Sequence, residues 1–172
     1  MRAGRIVRGF AALALLPGLL LLPRAGAAQM MQGDRDEFLP RCGIRYPGGY
    51  ERNTARVVVG LVEGMSLPDR GPVRFALRGE EETYIVLVSP AWYWRDQGIP
   101  VRDGDEVRVS GSATIGRDGE LYLLAREIRP GSGAWKFNIR DEAGRPAWRG
   151  CGPGRCPNSR VPVEPAPPPG SP

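Results

Sequence analysis

Four consecutive side chains, Trp92, Tyr93, Trp94 and Arg95, make the densest run of recognition chemistry in the chain. Aromatic faces stack on a base, a sugar ring or another ring, and a guanidinium beside them adds charge and further stacking. Three adjacent large aromatics cannot all point one way, so at least one is expected at the surface, where it would contact a partner. The competing reading has Trp92 and Trp94 plugging one end of the fold. Arg74, Arg78, Arg95, Arg102 and Arg108 could decorate a binding face, but Glu80, Glu81, Glu82, Asp103, Asp105 and Glu106 are interleaved with them.

Other chemistries are thinner. The chain has no histidine, which removes Ser-His-Asp and Cys-His catalysis, His-based metal sites and a simple pH switch near neutrality. The Asp103/Asp105 pair or the Glu80–Glu82 run could supply two carboxylates for glycoside hydrolysis, yet both lie in turns, where such residues are ordinarily solvated. Neither has the alternating ligand spacing of a calcium loop. No enzyme activity and no cofactor are therefore expected. The three cysteines, Cys42, Cys151 and Cys156, predict one disulfide and one remaining thiol in an oxidising compartment. Cys151 and Cys156 can close a short loop, but tying Cys42 to Cys151 would remove more entropy from the unfolded chain and is the favoured pairing. Thiol redox chemistry or metal handling stays open as a further alternative.

The N-terminus explains the compartment. Arg2, Arg5 and Arg8 precede an apolar run, Ala11 to Leu22, and Ala25-Gly26-Ala27 offers a small-residue cleavage pattern, so residues 1–28 read as a signal peptide. The run is shorter than the roughly 20 apolar residues that span a bilayer. Export to the periplasm or beyond is expected, with no stable membrane insertion after cleavage. Four basic residues leave with the signal, lowering the net charge from +5 to +1. Residues 55–150 carry 14 basic and 14 acidic side chains, and without a positive field, binding to a phosphate backbone is weak at physiological salt.

The elements that would position these groups are strands. After an extended lead-in over residues 29–54, apolar residues alternate with polar ones in short segments separated by glycine-rich turns. Strands are expected at Ala55–Glu63, Val73–Arg78, Thr83–Ser89, Glu106–Ile115 and Leu121–Ile128, with a further alternating segment around Trp135, Phe137 and Ile139. Ala91 to Gln97 reads as a short helical turn after Pro90. Gly60 interrupts the first strand, as a bulge or a close strand crossing would, and Gly111 lies in the middle of the fourth; both strands must bend sharply to close a small barrel. Residues 151–172 form a Cys/Pro-rich tail; residues 152–172 hold eight prolines in 21 positions, and disorder is expected there.

Three strands, a helical connection and two more strands predict an all-β fold, a five- to six-stranded Greek-key barrel of the OB type over residues 55–150. The segments Val59-Gly60-Leu61-Val62, Ser89-Pro90-Ala91-Trp92-Tyr93, Gly104-Asp105-Glu106-Val107-Arg108-Val109-Ser110-Gly111-Ser112, Ala125-Arg126-Glu127-Ile128 and Arg140-Asp141-Glu142-Ala143-Gly144-Arg145-Pro146-Ala147-Trp148 resemble those of small exported bacterial OB-fold proteins. That resemblance implies a binding or scaffolding module and names no ligand. The functional expectation is an exported, non-enzymatic binding or assembly module of the cell envelope. It would contact a partner, an envelope protein, through Trp92, Tyr93, Trp94 and Arg95, with Trp148 mainly structural. A binder of single-stranded nucleic acid or oligosaccharide is the alternative.

Overall fold

The computed structural model describes residues 35–131 and 133–163. The expected signal peptide, the start of the lead-in and residues 164–172 of the expected tail lie outside them. A small antiparallel hairpin, β1 (Glu37–Phe38) and β2 (Arg45–Tyr46), leads to a 3-10 turn at Arg52–Thr54. The chain continues through β3 (Ala55–Ser66), β4 (Pro72–Arg78), β5 (Thr83–Pro90), the helix α1 (Ala91–Asp96) and β6 (Glu106–Ile115). It ends in β7 (Leu121–Pro130), β8 (Trp135–Asn138) and β9 (Arg160–Pro162).

Strands β3 to β7 close a five-stranded barrel. β4 pairs antiparallel with β3 and β5, and β6 pairs antiparallel with β3 and β7. A parallel ladder from Ile85–Tyr122 to Leu87–Leu124 joins β5 to β7 and shuts the cylinder. This is the mixed, Greek-key arrangement of an OB-fold, with α1 between the third and fourth barrel strands, as expected from the sequence. Alternation works as anticipated: Val73, Phe75 and Leu77 of β4 are buried while Arg74 and Arg78 are exposed, and Val107 and Val109 of β6 point inward.

The two interrupting glycines mark close strand crossings. A Cβ on Gly60 would collide with the carbonyl of Arg78, and one on Gly111 with the carbonyl of Leu124. Any side chain there would push two strands apart and open the barrel.

Both flanks are more ordered than the sequence suggested. Cys42, Ile44 and Tyr46 from the lead-in are buried in the core. The disordered tail expected from residue 151 is corrected over its first part: β9 pairs with β8 through Trp135–Pro162, Lys136–Val161 and Phe137–Arg160. Proline composition argued against a ladder, but only Pro162 falls in the paired stretch, and it lies at the strand's end, where a missing N–H is tolerated. Among the described residues no helix is long and apolar enough to cross a membrane.

Candidate functional site

Helix α1 redistributes the aromatic run. Pro90 precedes it, and the N–H groups of Gln97 and Gly98 close its last turn on the carbonyls of Tyr93 and Arg95, both at 3.0 Å. The helical twist turns Tyr93 (0% exposed) and Trp94 (5%) into the core, leaves Trp92 half-buried and puts Arg95 in solvent. Of the four residues expected at a contact surface, Tyr93 and Trp94 are thus buried, and only Trp92 and Arg95 reach solvent. Trp92 meets Tyr93 edge-on at 5.8 Å, and Tyr93 packs against Trp148 with ring centres 5.5 Å apart. Trp148 is itself 1% exposed, in keeping with its expected structural role.

A different apolar surface lies on β3. Val57, Val59 and Leu61 share its outward face at 55%, 42% and 38% exposure. From Ala55 to Gly60, β3 is paired with β6 on one side only, because the ladder to β4 begins at Leu61–Arg78. That unpaired margin lines a groove of about 960 Å³ whose other wall is the β4–β5 turn, Gly79 to Glu82, with Tyr84. Arg56 donates to the Tyr84 hydroxyl at 2.9 Å, and that hydroxyl donates to Glu82. Glu80, Glu81, Glu82 and Glu106 line the groove against Arg56 and Arg78, and Arg78 is paired with Glu63 at 2.9 Å. The groove is therefore acidic. Sequence reasoning found the alternation of β3 but not its one-sided pairing, which depends on how far β4 extends.

A second cavity, about 870 Å³, opens beside β8 and the C-terminal arm, and Arg140 lies in its wall. Arg140 is 2% exposed. Its Nη1 donates to the carbonyls of Val88 (3.3 Å) and Ala125, and its Nη2 to that of Pro47 (3.5 Å). The guanidinium sits over the rings of Tyr46 and Trp148. Burial lowers the Arg140 pKa from its usual value, against the opposing pull of Tyr46 and Tyr50. Burial likewise raises the Tyr46 phenol, an effect tempered by Arg140. No ion pair to Arg140 exists among the described residues. The signal for this residue in the sequence was only an arginine ending an alternating apolar segment.

The cysteines correct another expectation. Cys151 and Cys156 are joined, with Cα atoms 5.3 Å apart, and Cys42 is a buried free thiol. The loop-entropy argument for Cys42–Cys151 concerned the unfolded chain, whereas the native geometry decides which thiols meet. Cys42 is instead held under the β6–β7 turn, where its carbonyl accepts from the N–H of Arg117 at 2.8 Å. Among the described residues no group of three His, Cys, Asp or Glu side chains could hold a metal.

The acidic pair has local structural work. Asp103 accepts from the N–H of Met65 and Asp105 from that of Arg102, each at 2.8 Å. These bonds brace the entry to β6. Of the arginines considered together, Arg74, Arg78 and Arg108 lie on barrel strands, Arg95 on α1 and Arg102 in the connection to β6.

Residues 58–133 match the model of the MamS/MamX magnetosome protein family. The match takes in most of the β3 groove and the whole of β4 to β7, and it stops before β8, Arg140 and the C-terminal arm. A solved crystal structure of a tRNA fluorescent labeling enzyme is similar over 65% of this chain and 29% of that one, at 21% identity and a TM-score of 0.36. The chain thus spans less than a third of that enzyme. No curated protein matches it.

Proposed function

We propose that this chain is an exported, non-enzymatic binding and assembly module of the cell envelope whose partner contact is the half-paired margin of β3. The observation that carries this reading is the one-sided ladder of Ala55 to Gly60 beside an exposed Val57, Val59 and Leu61. An unpaired strand margin offers backbone donors and acceptors to an extended segment of another protein, and alternate side chains then read its sequence. The acidic lining favours an apolar segment carrying lysine or arginine and disfavours a phosphate backbone. The signal-like N-terminus and the Cys151–Cys156 bond support an oxidising compartment outside the cytoplasm. The similarity to a family of magnetosome proteins supports an assembly role over a catalytic one.

The test is co-purification from native envelope extract with wild-type chain, Val59→Arg/Leu61→Arg and Trp92→Ala. Charging the exposed β3 face should reduce recovery of the partner at least about tenfold, the equivalent of some 1.4 kcal/mol, with the thermal midpoint unchanged. Equal recovery from wild type and the β3 variant rejects the groove. Loss with Trp92→Ala alone restores the aromatic rim as the contact. Retention of oligonucleotide that fades with salt would instead favour nucleic-acid binding.

A further inference from the structure

β9 and the first half of β3 each have a flank without a ladder, and the chain treats the two differently. On β9, the Ser159 carbonyl accepts from Asn138 N–H at 2.9 Å, and Val163 N–H donates to Ala134 at 3.0 Å. Ser159, Val161 and Val163 therefore face β8, and alternation turns the backbone groups of Arg160 and Pro162 outward. The Arg160 N–H is taken by Asn158 Oδ1 at 2.9 Å, and a proline has no N–H to offer. From Arg160 to Pro162 the outer flank presents no open donor, which guards it against the addition of another strand.

The margin of β3 carries no such guard. Val62 turns both backbone groups to the β6 side: its N–H donates to Asp105 at 2.9 Å, and its carbonyl accepts from Gly104 N–H at 2.8 Å. The β3–β6 register runs without a shift from Ala55 to Leu61. Alternation then points the N–H and C=O of Val57 and Val59 away from β6, into the groove. A strand laid there would continue the line of β4 past Arg78, antiparallel to β3, where the chain itself turns off at Gly79.

The margin sorts the side chains of such a strand. Residues opposite Val57 and Val59 share their outward face, beside exposed aliphatic groups and Arg108, the β6 neighbour of Val59. The intervening residues point to the other face, where Arg56 donates to Tyr84 and Tyr84 to Glu82. Both lining arginines are engaged, Arg56 by Tyr84 and Arg78 by Glu63. Glu80 and Glu81 have no ion pair among the described residues. Aliphatic residues outward, alternating with lysine or arginine toward the glutamates, complement both faces.

We infer that the β3 margin takes an extended peptide segment in which aliphatic residues alternate with lysine or arginine, added as a strand antiparallel to β3. This rests on the β3 groove being the contact and specifies what enters it. The test is fluorescence anisotropy of a labelled, capped peptide of alternating valine and lysine, titrated with the mature chain. Binding should saturate, and replacing each lysine by glutamate should weaken it at least about tenfold through like-charge repulsion. In a hydrogen-bonded pair with Val57, the peptide's valine N–H points at β3 and its lysine N–H at solvent. N-methylation of the valines should therefore abolish binding, and N-methylation of the lysines should spare it. In the chain, Val57→Pro removes a margin donor without removing a β6 bond, as a sheet edge tolerates, and should abolish binding with the thermal midpoint kept. No saturable binding, equal binding of the glutamate peptide, or equal loss from both N-methylations overturns the inference. A dimer of the free chain that Val57→Pro dissociates would put a second copy in the margin and overturn it as well. If the peptide fails while Val59→Arg/Leu61→Arg still loses the envelope partner, the groove reading stands and its guest is not a strand. If the peptide binds as expected while partner recovery is unchanged by that variant, the inference stands and the envelope contact lies elsewhere.

Discussion

The guanidinium of Arg140 lies 5.2 Å from the centre of the Trp148 ring and 5.8 Å from that of Tyr46. Tyr46 and Trp148 are themselves near-parallel, 22° apart with centres separated by 6.2 Å. A cation removed from water and set against aromatic faces is worth about 2 kcal/mol or more, compared with under 1 at exposed sites. A double-mutant cycle of Arg140→Met with Trp148→Leu, read by urea unfolding, should therefore give a coupling of about 1–2 kcal/mol. Additive effects would mean that Arg140 and Trp148 contribute to stability independently.

Gly60 makes a sharper demand on stability than its neighbours on β3. Gly60→Ala drives a methyl into the Arg78 carbonyl at the strand crossing, an overpacking that costs about 1–3 kcal/mol. Val59→Ala, on the exposed face next to it, should stay within about 0.5 kcal/mol of wild type. Thermal midpoints of the two variants check the contrast. Equal midpoints would mean that the barrel does not need the close crossing.

Much of this barrel could be read in the residues because one rule sufficed for it. The period-two pattern of Val73-Arg74-Phe75 and Glu106-Val107-Arg108-Val109 sets faces and register together, so β6 begins and ends where the alternation does. Gly60 announced a bulge or a crossing, and both Gly60 and Gly111 announced sharp bends, because a strand interior has little other use for glycine. What failed was anything fixed by distant partners. Trp92, Tyr93 and Trp94 look alike in sequence, and only the direction of α1 relative to the barrel decides which two are buried. Arg140 looks like any surface arginine until the carbonyls of Val88, Ala125 and Pro47 converge on it. The margin of β3 is open because β4 starts its ladder only at Leu61, a length that no residue of β3 encodes.

The cysteine assignment predicts a simple thiol count. Native, non-reduced protein should give almost no reaction with an aromatic disulfide reagent, since Cys42 is buried and the other two are joined. Unfolding in urea without reductant should release one thiol per chain. Three thiols, or none, would refute the pairing. Cys151→Ser/Cys156→Ser should cost about 2 kcal/mol, the loop-entropy value for so short a ring.

Stability should fall on the acid side through Asp141. Its carboxylate accepts from the N–H groups of Arg145 and Ala143, both at 2.9 Å, and from Arg145 Nε at 2.7 Å. The backbone bond from Arg145, with that residue's side-chain bond and charge, holds the carboxyl below its usual value, while slight desolvation opposes them. A depressed folded value means that the contribution is fully present above the unfolded pKa, about 3.9. It is lost as pH falls through the folded value. The group is exposed, so the effect is small at any one pH, and its signature is the slope. Wild-type thermal midpoints should drop below about pH 4 more steeply than those of Asp141→Asn, whose amide oxygen still accepts but carries no charge to neutralise. The two curves should converge as the wild-type carboxyl protonates. Parallel curves over that range would mean that the turn from Asp141 to Arg145 is held by its backbone bonds alone, and that acid unfolding starts elsewhere in the barrel.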